Sequence, residues 1–328
     1  MNLTLVPYSP SQLDTELARL AYQCIRTWPD QRPVSASLVE ARLTPHRPDV
    51  PTMLAVIRDS SGRLAGAAAL RPGAGPSDRT RLWGPLVHPD HQRRGHGTDL
   101  LKALLPHLPA GTALTSAEVP AEREAATGFF AHAHWQLLGD AALFKLPLDT
   151  PLPLDQLPDG FTVRSARHGE DLAAPLEDLF AACRPHLGAE AAAGAFDRWS
   201  GDRRYRTSCL VLLESGTALR GAALAYPLAH PDDDEPPEAL LADLLVGPGL
   251  DETAAAAVRD HLAAEALNQA RVRGGRMARA VVPENDTATR ACLHRLGFAT
   301  TASLLYFAPP TTAEAAPSSQ AGERLEAR

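Results

Sequence analysis

The sequence predicts an α/β fold, a mixed sheet with flanking helices, built twice in tandem. Three observations predict it. Short apolar runs alternate with segments whose apolar residues recur at helical spacing. The order of these elements in the first part of the chain begins again about 160 residues later. A stretch with three prolines, Asp149 to Asp159, separates the two series and reads as a semi-rigid linker.

In chain order, Leu3 to Val6 is a short strand closed by a turn at Tyr8-Ser9-Pro10. Ser11 is placed to cap a helix over Leu13 to Trp28, with Leu13, Leu17, Leu20, Ala21 and Ile25 on one face. A shorter helix spans Ser35 to Leu43. Met53 to Ile57 and Arg63 to Leu70 form a hairpin around Asp59-Ser60-Ser61-Gly62. The Pro- and Gly-rich residues Arg71 to Asp78 are a loop. After the strand Leu82 to Val87 and the helix that follows it, Ala113 to Ala117 reads as a strand and Ala121 to Ala133 as a helix. Leu137-Leu138 and Ala142 to Leu146 then read as two strands.

The second series repeats this. Phe161 to Arg164 is a strand, Glu170 to Cys183 and Ala189 to Trp199 are helices, and Ser208 to Glu214 pairs with Leu219 to Pro227 around Ser215-Gly216. His230 to Glu238 is an acidic, solvated loop whose sequential carboxylates lack the spacing of a calcium loop. Leu240 to Val246, a helix from Thr253 to Ala270, strand Met277 to Val282, helix Asp286 to Leu296 and strand Leu304 to Phe307 follow. The expected division is therefore residues 1–148, a linker at 149–159, a second unit at 160–309 and a disordered tail at 310–328, rich in Ala, Ser, Pro and charge.

One stretch organises the rest. The apolar run Leu82-Trp83-Gly84-Pro85-Leu86-Val87 stops at His88-Pro89. A basic turn follows, Asp90-His91-Gln92-Arg93-Arg94-Gly95-His96-Gly97, and then Leu100, Leu101, Leu104 and Leu105 mark one face of a helix. The first N–H groups of a helix have no internal partner and carry partial positive charge, so they suit a bound anion. Gly95 and Gly97 let a ligand approach the backbone. Arg93 and Arg94 supply charge suited to phosphate oxygens. The stretch lacks the third glycine of a dinucleotide fingerprint and the Gly-Lys-Ser/Thr of a nucleoside triphosphatase loop.

The spacing Val87, Pro89, Gln92, Gly95, Gly97 resembles the acyl-CoA loop of the GNAT-type N-acetyltransferases, Val-x-Pro-x-x-Gln/Arg-x-x-Gly-x-Gly/Ala. The layout of the whole chain apart from its tail is similar to that of tandem members of that family. The resemblance implies splayed central strands with pantetheine in the gap, acetyl-CoA as donor and a primary amine, on a small molecule or a peptide N-terminus, as acceptor. It assigns cofactor contacts to Leu86, Val87 and His88 at the strand end and to Gln92, Arg93, Arg94, Gly95, His96, Gly97 and Thr98 in the loop and helix start. A backbone N–H near Val87 would stabilise the charge that develops on the thioester oxygen. Irregular Trp83-Gly84-Pro85 is expected to supply a bulge that helps the splay.

The two series diverge at this point. After Leu244-Leu245-Val246 the second reads Gly247-Pro248-Gly249-Leu250-Asp251-Glu252-Thr253, with no arginine and two carboxylates where phosphates would lie. Poor binding or none is expected there. The second series instead keeps the family's late Asn…Gly-Phe, as Asn285 and Gly297-Phe298, where the first has His134-Trp135. Many members of the family carry a tyrosine four residues before this glycine to protonate the departing thiolate. The corresponding positions are Phe130 and Leu293, neither with a hydroxyl.

The acceptor amine must lose a proton, and the candidate bases are Glu118 first and then His88, with His132 and His134 also in reach of the last helix of the first unit. Each also has a plain structural role: surface carboxylate, loop packing beside Pro89, solvated helix end. The opposing functional reading is a catalytically silent acyl-CoA-binding scaffold or sensor.

Composition narrows the field. With 45% hydrophobic residues in 328 there is material for real cores, and a net charge of −7 argues against a nucleic-acid binder. Cys24, Cys183, Cys209 and Cys292 show no Cys-x-x-Cys pair, so neither a metal site nor a disulfide framework is expected. The basic start and apolar core of a signal peptide and any membrane-length apolar run are missing, so the expectation is a cytoplasmic protein with no membrane partner, monomer or homodimer.

Overall fold

The computed structural model describes residues 1–11, 13–26, 34–45, 50–73, 80–108, 116–167, 169–185, 192–200, 205, 208–228 and 237–310. Its strands form one mixed, twelve-stranded sheet in the order β1-β2-β3-β4-β5-β12-β6-β11-β10-β9-β8-β7. The first series supplies β1 (Asn2–Pro7), β2 (Met53–Arg58), β3 (Leu64–Arg71), β4 (Arg81–Val87), β5 (Ser116–Pro120) and β6 (Gln136–Pro147). The second supplies β7 (Phe161–Ser165), β8 (Cys209–Ser215), β9 (Ala218–Leu228), β10 (Glu238–Val246), β11 (Met277–Pro283) and β12 (Ala299–Ala308). The described helices are α1 (Leu13–Ile25), α2 (Ala36–Leu43), α3 (His96–Leu104), α4 (Glu124–His132), α5 (Ala173–Cys183), α6 (Ala195–Ser200), α7 (Glu252–Val272) and α8 (Thr287–Arg295).

The last strands of the two series are exchanged. β12 lies between β5 and β6, and β6 pairs in turn with β11. Consecutive strands usually neighbour one another, but here β5 meets β12, with Tyr306 opposite Glu118, and β11 meets β6, with Arg279 opposite Lys145. The strands nearest the centre therefore belong alternately to the two halves of the sequence.

Alternation along each strand divides the side chains between two faces. On one face, Leu82, Ala117, Val119 and Phe307 pack with Leu100, Leu101 and Leu104 of α3 and Phe130 of α4. Phe144, Ala278, Ala280 and Val282 pack with Leu262, Leu267 and Leu293 of α7 and α8. On the other face, α1 and α2 bury Leu17, Val39 and Leu43 against Leu54, Val56 and Ala67, and α5 and α6 bury Leu176, Phe180 and Trp199 against Leu212, Leu224 and Leu245.

Most elements fall where the sequence places them, with informative differences. Residues 136–147 form one strand rather than two, because Gly139, at φ 154°, absorbs a bulge opposite Tyr306 and Phe307 without ending the ladder. The helix expected from Glu170 begins at Ala173. The Glu170 carboxylate instead accepts from the Arg164 guanidinium and the Arg167 N–H, which closes the turn ahead of the helix. β5 extends past Ala117, so Glu118 lies inside a strand rather than at its end. The Pro-rich connection is docked on α7: Asn268 bonds both backbone groups of Leu152, and His261 Nδ1 lies 2.6 Å from the Asp155 carbonyl. The acidic loop at 230–236, much of the loop at 71–78, the first three residues of the strand expected at 113, the start of the helix expected at 189 and the tail from 311 lie outside the described residues.

Candidate active site

β4 and β5 run parallel and pair only through Arg81 with Ser116 and Leu82 with Ala117. Beyond those two rungs they separate. β4 is itself irregular here, its register against β3 slipping between Ala67 and Ala69 at Gly84 and Pro85. A Cβ on Gly84 would stand 2.9 Å from the Ala67 carbonyl oxygen, so only glycine fits the bulge. The bulge expected at Trp83-Gly84-Pro85 is thus present. Past it, the His88 N–H bonds back to the Ala65 carbonyl across β3. Strand alternation then turns the Val87 amide toward the gap.

The turn after β4 is held from within. The Gln92 side chain donates to the Val87 carbonyl at 3.0 Å, and the Cys24 thiol of α1 approaches the same oxygen at 3.3 Å. Gln92 thus fixes the loop instead of presenting its amide outward. His88 Nδ1 accepts from the Asp90 N–H at 3.3 Å and caps a single 3₁₀ turn. Arg93, at φ 60°, and Gly95, at φ 85°, turn the chain into α3. Arg93 and Arg94 are exposed, with no ion-pair partner among the described residues.

Gly95 precedes α3 with no side-chain cap, so the amides of His96, Gly97 and Thr98 have no partner within the helix. Nothing stands within 4 Å of where a Gly95 Cβ would be, whereas a Cβ on Gly97 would meet the Phe129 ring at 2.9 Å. Gly97 is therefore required by packing against α4, and Gly95 by its left-handed backbone and an open approach. The His96 ring turns inward, 14% exposed with its Nδ1 3.8 Å from Asp99, and only its backbone faces the helix end. Leu86 packs toward α1 and α2, and Val87 toward the α3 side.

Of the four candidate bases, the first two, Glu118 and His88, are not brought together. Glu118 lies where β4 and β5 still touch, in an ion pair with Arg81, on the face opposite α3 and α4; the two side chains are 30% and 52% exposed. His88 is at the far end of β4, roughly 15 Å along the strand at about 3.3 Å per residue. There it lines a cavity of about 510 Å³ with His91, Asp90, Asp59, Arg58 and Arg19, between α1 and the β2–β3 turn. Asp59 in that cavity is held well below the usual carboxylate range, first by the Ser61 hydroxyl and then by the amides of Arg63 and Ser61. His134 is spent on the chain itself: at φ 59° it is the left-handed residue that ends α4. Phe130 stacks on Phe307, 5.4 Å between ring centres, inside the core.

The corresponding corner of the second half is built differently. Asp251 caps α7, its carboxylate accepting from the Ala254 N–H at 2.9 Å. β10 and β11 stay paired for four residues, Glu238 to Leu241 with Met277 to Ala280. The cavity beside Gly247 to Leu250 measures about 180 Å³. Other features repeat with little change. Cys183 of α5 hydrogen-bonds the Val246 backbone as Cys24 does that of Val87, and burial pushes both thiols up to about 11. The Arg81–Glu118 pair recurs with its charges reversed as Glu238–Arg279, 2.9 Å apart. Arg81, Cys24 and Tyr306 carry no local signal in the sequence. All four cysteines are free, and no cluster of metal-ligand type occurs among the described residues. No described helix is long and apolar enough to cross a membrane.

Residues 17–135 match the Acetyltransferase (GNAT) family. A mycothiol acetyltransferase of Thermobispora bispora is 36% identical over 112 residues, 33% of this chain and 34% of that protein, so the match spans about a third of the relative's length. Among solved structures, a GCN5-related N-acetyltransferase from Sphaerobacter thermophilus superposes with a TM-score of 0.68 at 18% identity, covering 93% of this chain and 94% of that one. A tandem GNAT protein from the clavulanic acid biosynthesis pathway gives 0.64 at 19%, covering 93% and 98%. Residues 17–135 thus carry the signature of the Acetyltransferase (GNAT) family, and the chain as a whole shares its fold with solved single-chain and tandem structures of that type.

Proposed function

We propose that the chain is an acetyl-CoA-dependent N-acetyltransferase that acts on a primary amine by direct transfer, residues 1–148 holding the cofactor and residues 160–309 forming a second copy of the module that binds it poorly or not at all. The observation that carries this reading is the open amino terminus of α3, beside two exposed arginines and a strand gap, set against the Asp251-capped start of α7. The diphosphate of the cofactor would accept from the amides of His96, Gly97 and Thr98, with Arg93 and Arg94 nearby. Pantetheine would enter the gap between β4 and β5. The neutral amine attacks the thioester carbon, the C–N bond forms and the C–S bond breaks. The Val87 N–H would face the developing oxyanion, the ammonium proton passes through bridging water to Glu118, and the thiolate leaves with a proton from solvent. The four free thiols support a cytoplasmic setting.

Titration calorimetry with acetyl-CoA, and thiol release across glucosamine, spermidine, an aminoglycoside and an unblocked peptide, test it. Binding together with amine-dependent release is expected, and Glu118→Gln should lower kcat about 100-fold while leaving cofactor binding unchanged. Release unaffected by Glu118→Gln would remove the carboxylate from the mechanism. The buried, hydroxyl-free Phe130 and Leu293 favour one alternative, a silent acyl-CoA-binding module, for which binding without release from any amine is the expected result.

A further inference from the structure

The exchanged strand gives the gap a neighbour that its own half of the sequence lacks. β12 pairs with β5 so that Tyr306 stands directly across from Glu118, and cross-strand partners share a face of the sheet. Leu305 and Phe307 pack toward α3 and α4, so Tyr306 and Glu118 are on the opposite face, where Arg81 joins them at the point where β4 and β5 separate. A ligand threaded through the gap from the α3 side meets an acceptor from this face. We propose that the acceptor pocket of the amino-terminal half is composite: Tyr306, from the carboxyl-terminal strand, positions the amine beside Glu118.

The second half supplies the contrast. By the same register, Glu238, Arg279 and Lys145 stand where Arg81, Glu118 and Tyr306 do, Lys145 coming from the exchanged β6. Each half thus has one ion pair next to the gap, and the third group is a phenol in the first and an ammonium in the second. The first set carries no net charge and the second one positive charge, so a cationic amine is opposed by the second set and not by the first. The phenol can accept from an ammonium or donate to a neighbouring hydroxyl of the acceptor, so the pocket suits a small cationic amine that carries further polar groups.

This inference rests on the acetyltransferase reading, and its test separates the two. Tyr306→Phe and Tyr306→Lys are compared with wild type for thiol release with the amine panel above, for KM of acetyl-CoA and for thermal midpoint. The expected result is an acceptor KM raised about tenfold in Tyr306→Phe and kcat/KM lowered at least 100-fold in Tyr306→Lys, with KM for acetyl-CoA within twofold of wild type. An unchanged acceptor KM in both variants overturns the inference alone, as does a parallel loss of affinity for acetyl-CoA, which would mark a structural role. A wild-type protein that releases no thiol with any amine overturns the parent reading and this inference with it.

Discussion

Helices α3 and α7 begin at the same place in the two halves of the molecule, each directly after a strand that leaves the sheet. One starts with a glycine that offers no side chain, the other with an aspartate whose carboxylate already accepts from the third amide of its helix. A helix amino terminus is thus an anion site only while nothing in the chain itself occupies it. The surrounding features follow the same division: arginines against carboxylates in the turn, two rungs against four between the strands, a larger cavity against a smaller one. Packing is retained in both halves, while the features that suit a bound anion are confined to one.

The strongest test of that difference is a matched pair of substitutions. Gly95 and Gly249 both have left-handed φ, 85° and 100°, and neither has an atom within 4 Å of its missing Cβ. Glutamate at either site therefore carries the same backbone strain, about 1–2 kcal/mol, and meets no steric obstacle. Gly95→Glu places a carboxylate against the open α3 terminus and should abolish the thermal shift produced by acetyl-CoA, an affinity loss of 100-fold or more. Gly249→Glu should lower the unliganded midpoint by a similar amount and leave the ligand-induced shift intact. Equal loss of the shift in both would remove the asymmetry between the halves.

A second comparison uses a feature that the halves share. Burial raises the thiols of Cys24 and Cys183 to about 11, where an unfolded cysteine titrates near 9. Between those values the folded state holds more protons than the unfolded state, so stability falls as pH rises from 9 to 11 and is unaffected by these groups below 9. Alkylation by iodoacetamide should accordingly be slow at pH 8 for both residues and accelerate toward pH 11. Acetyl-CoA, by pairing along β4, should slow Cys24 several-fold and leave Cys183 alone. Peptide mapping of the labelled sites would measure this, and equal protection of both thiols would place cofactor in both halves.

What the sequence made legible depended on how local each signal was. The Gly95 turn, the α3 stripe of leucines and the Asp251 carboxylate are read within a dozen residues, because capping and amphipathicity are short-range effects. The bulge at Gly84-Pro85 was legible for the same reason. The exchange of β6 and β12 was not: each is an ordinary apolar strand, and either neighbour would satisfy its ladder, so which one it meets is decided by contacts more than 150 residues away in sequence, as between Glu118 and Tyr306. The ion pair of Glu118 with Arg81, the docking of Leu152 on Asn268 and the use of Gln92 as an internal brace were hidden likewise, since polar residues in a strand, linker or loop read as solvated until a partner is placed beside them.

A smaller effect is expected at the cap of α7. Asp251→Ala removes the only side-chain acceptor at that terminus among the described residues and should cost about 1 kcal/mol, a few degrees or less in thermal midpoint for a chain of this size. The capped half should stay unresponsive to acetyl-CoA all the same, because Asp251→Ala restores neither the arginines nor the wider gap. A new acetyl-CoA-dependent shift that survives Gly95→Glu would show that the aspartate alone had been excluding the ligand.

The smallest effect is expected where the halves end their last helices. Trp135 N–H bonds the Phe130 carbonyl and Phe298 N–H the Leu293 carbonyl, each at 2.9 Å, so the two helix ends close by the same turn. The left-handed residue in that turn is His134 in one half, at φ 59°, and Gly297 in the other, at φ 89°. A side chain there costs about 1–2 kcal/mol of backbone strain, and glycine returns roughly half of that gain by loosening the unfolded chain. His134→Gly should therefore stabilise by about 0.5 kcal/mol, raising the midpoint by about 1 °C. Gly297→Ala should destabilise by about 1 kcal/mol, since its Cβ would lie at an ordinary 3.7 Å from Leu146 and backbone strain alone opposes it. Calorimetry on the two single variants measures both. If His134→Gly lowers the midpoint instead, the imidazole makes an interaction at the end of α4 that outweighs the strain of its backbone, and the two helix ends are not equivalent.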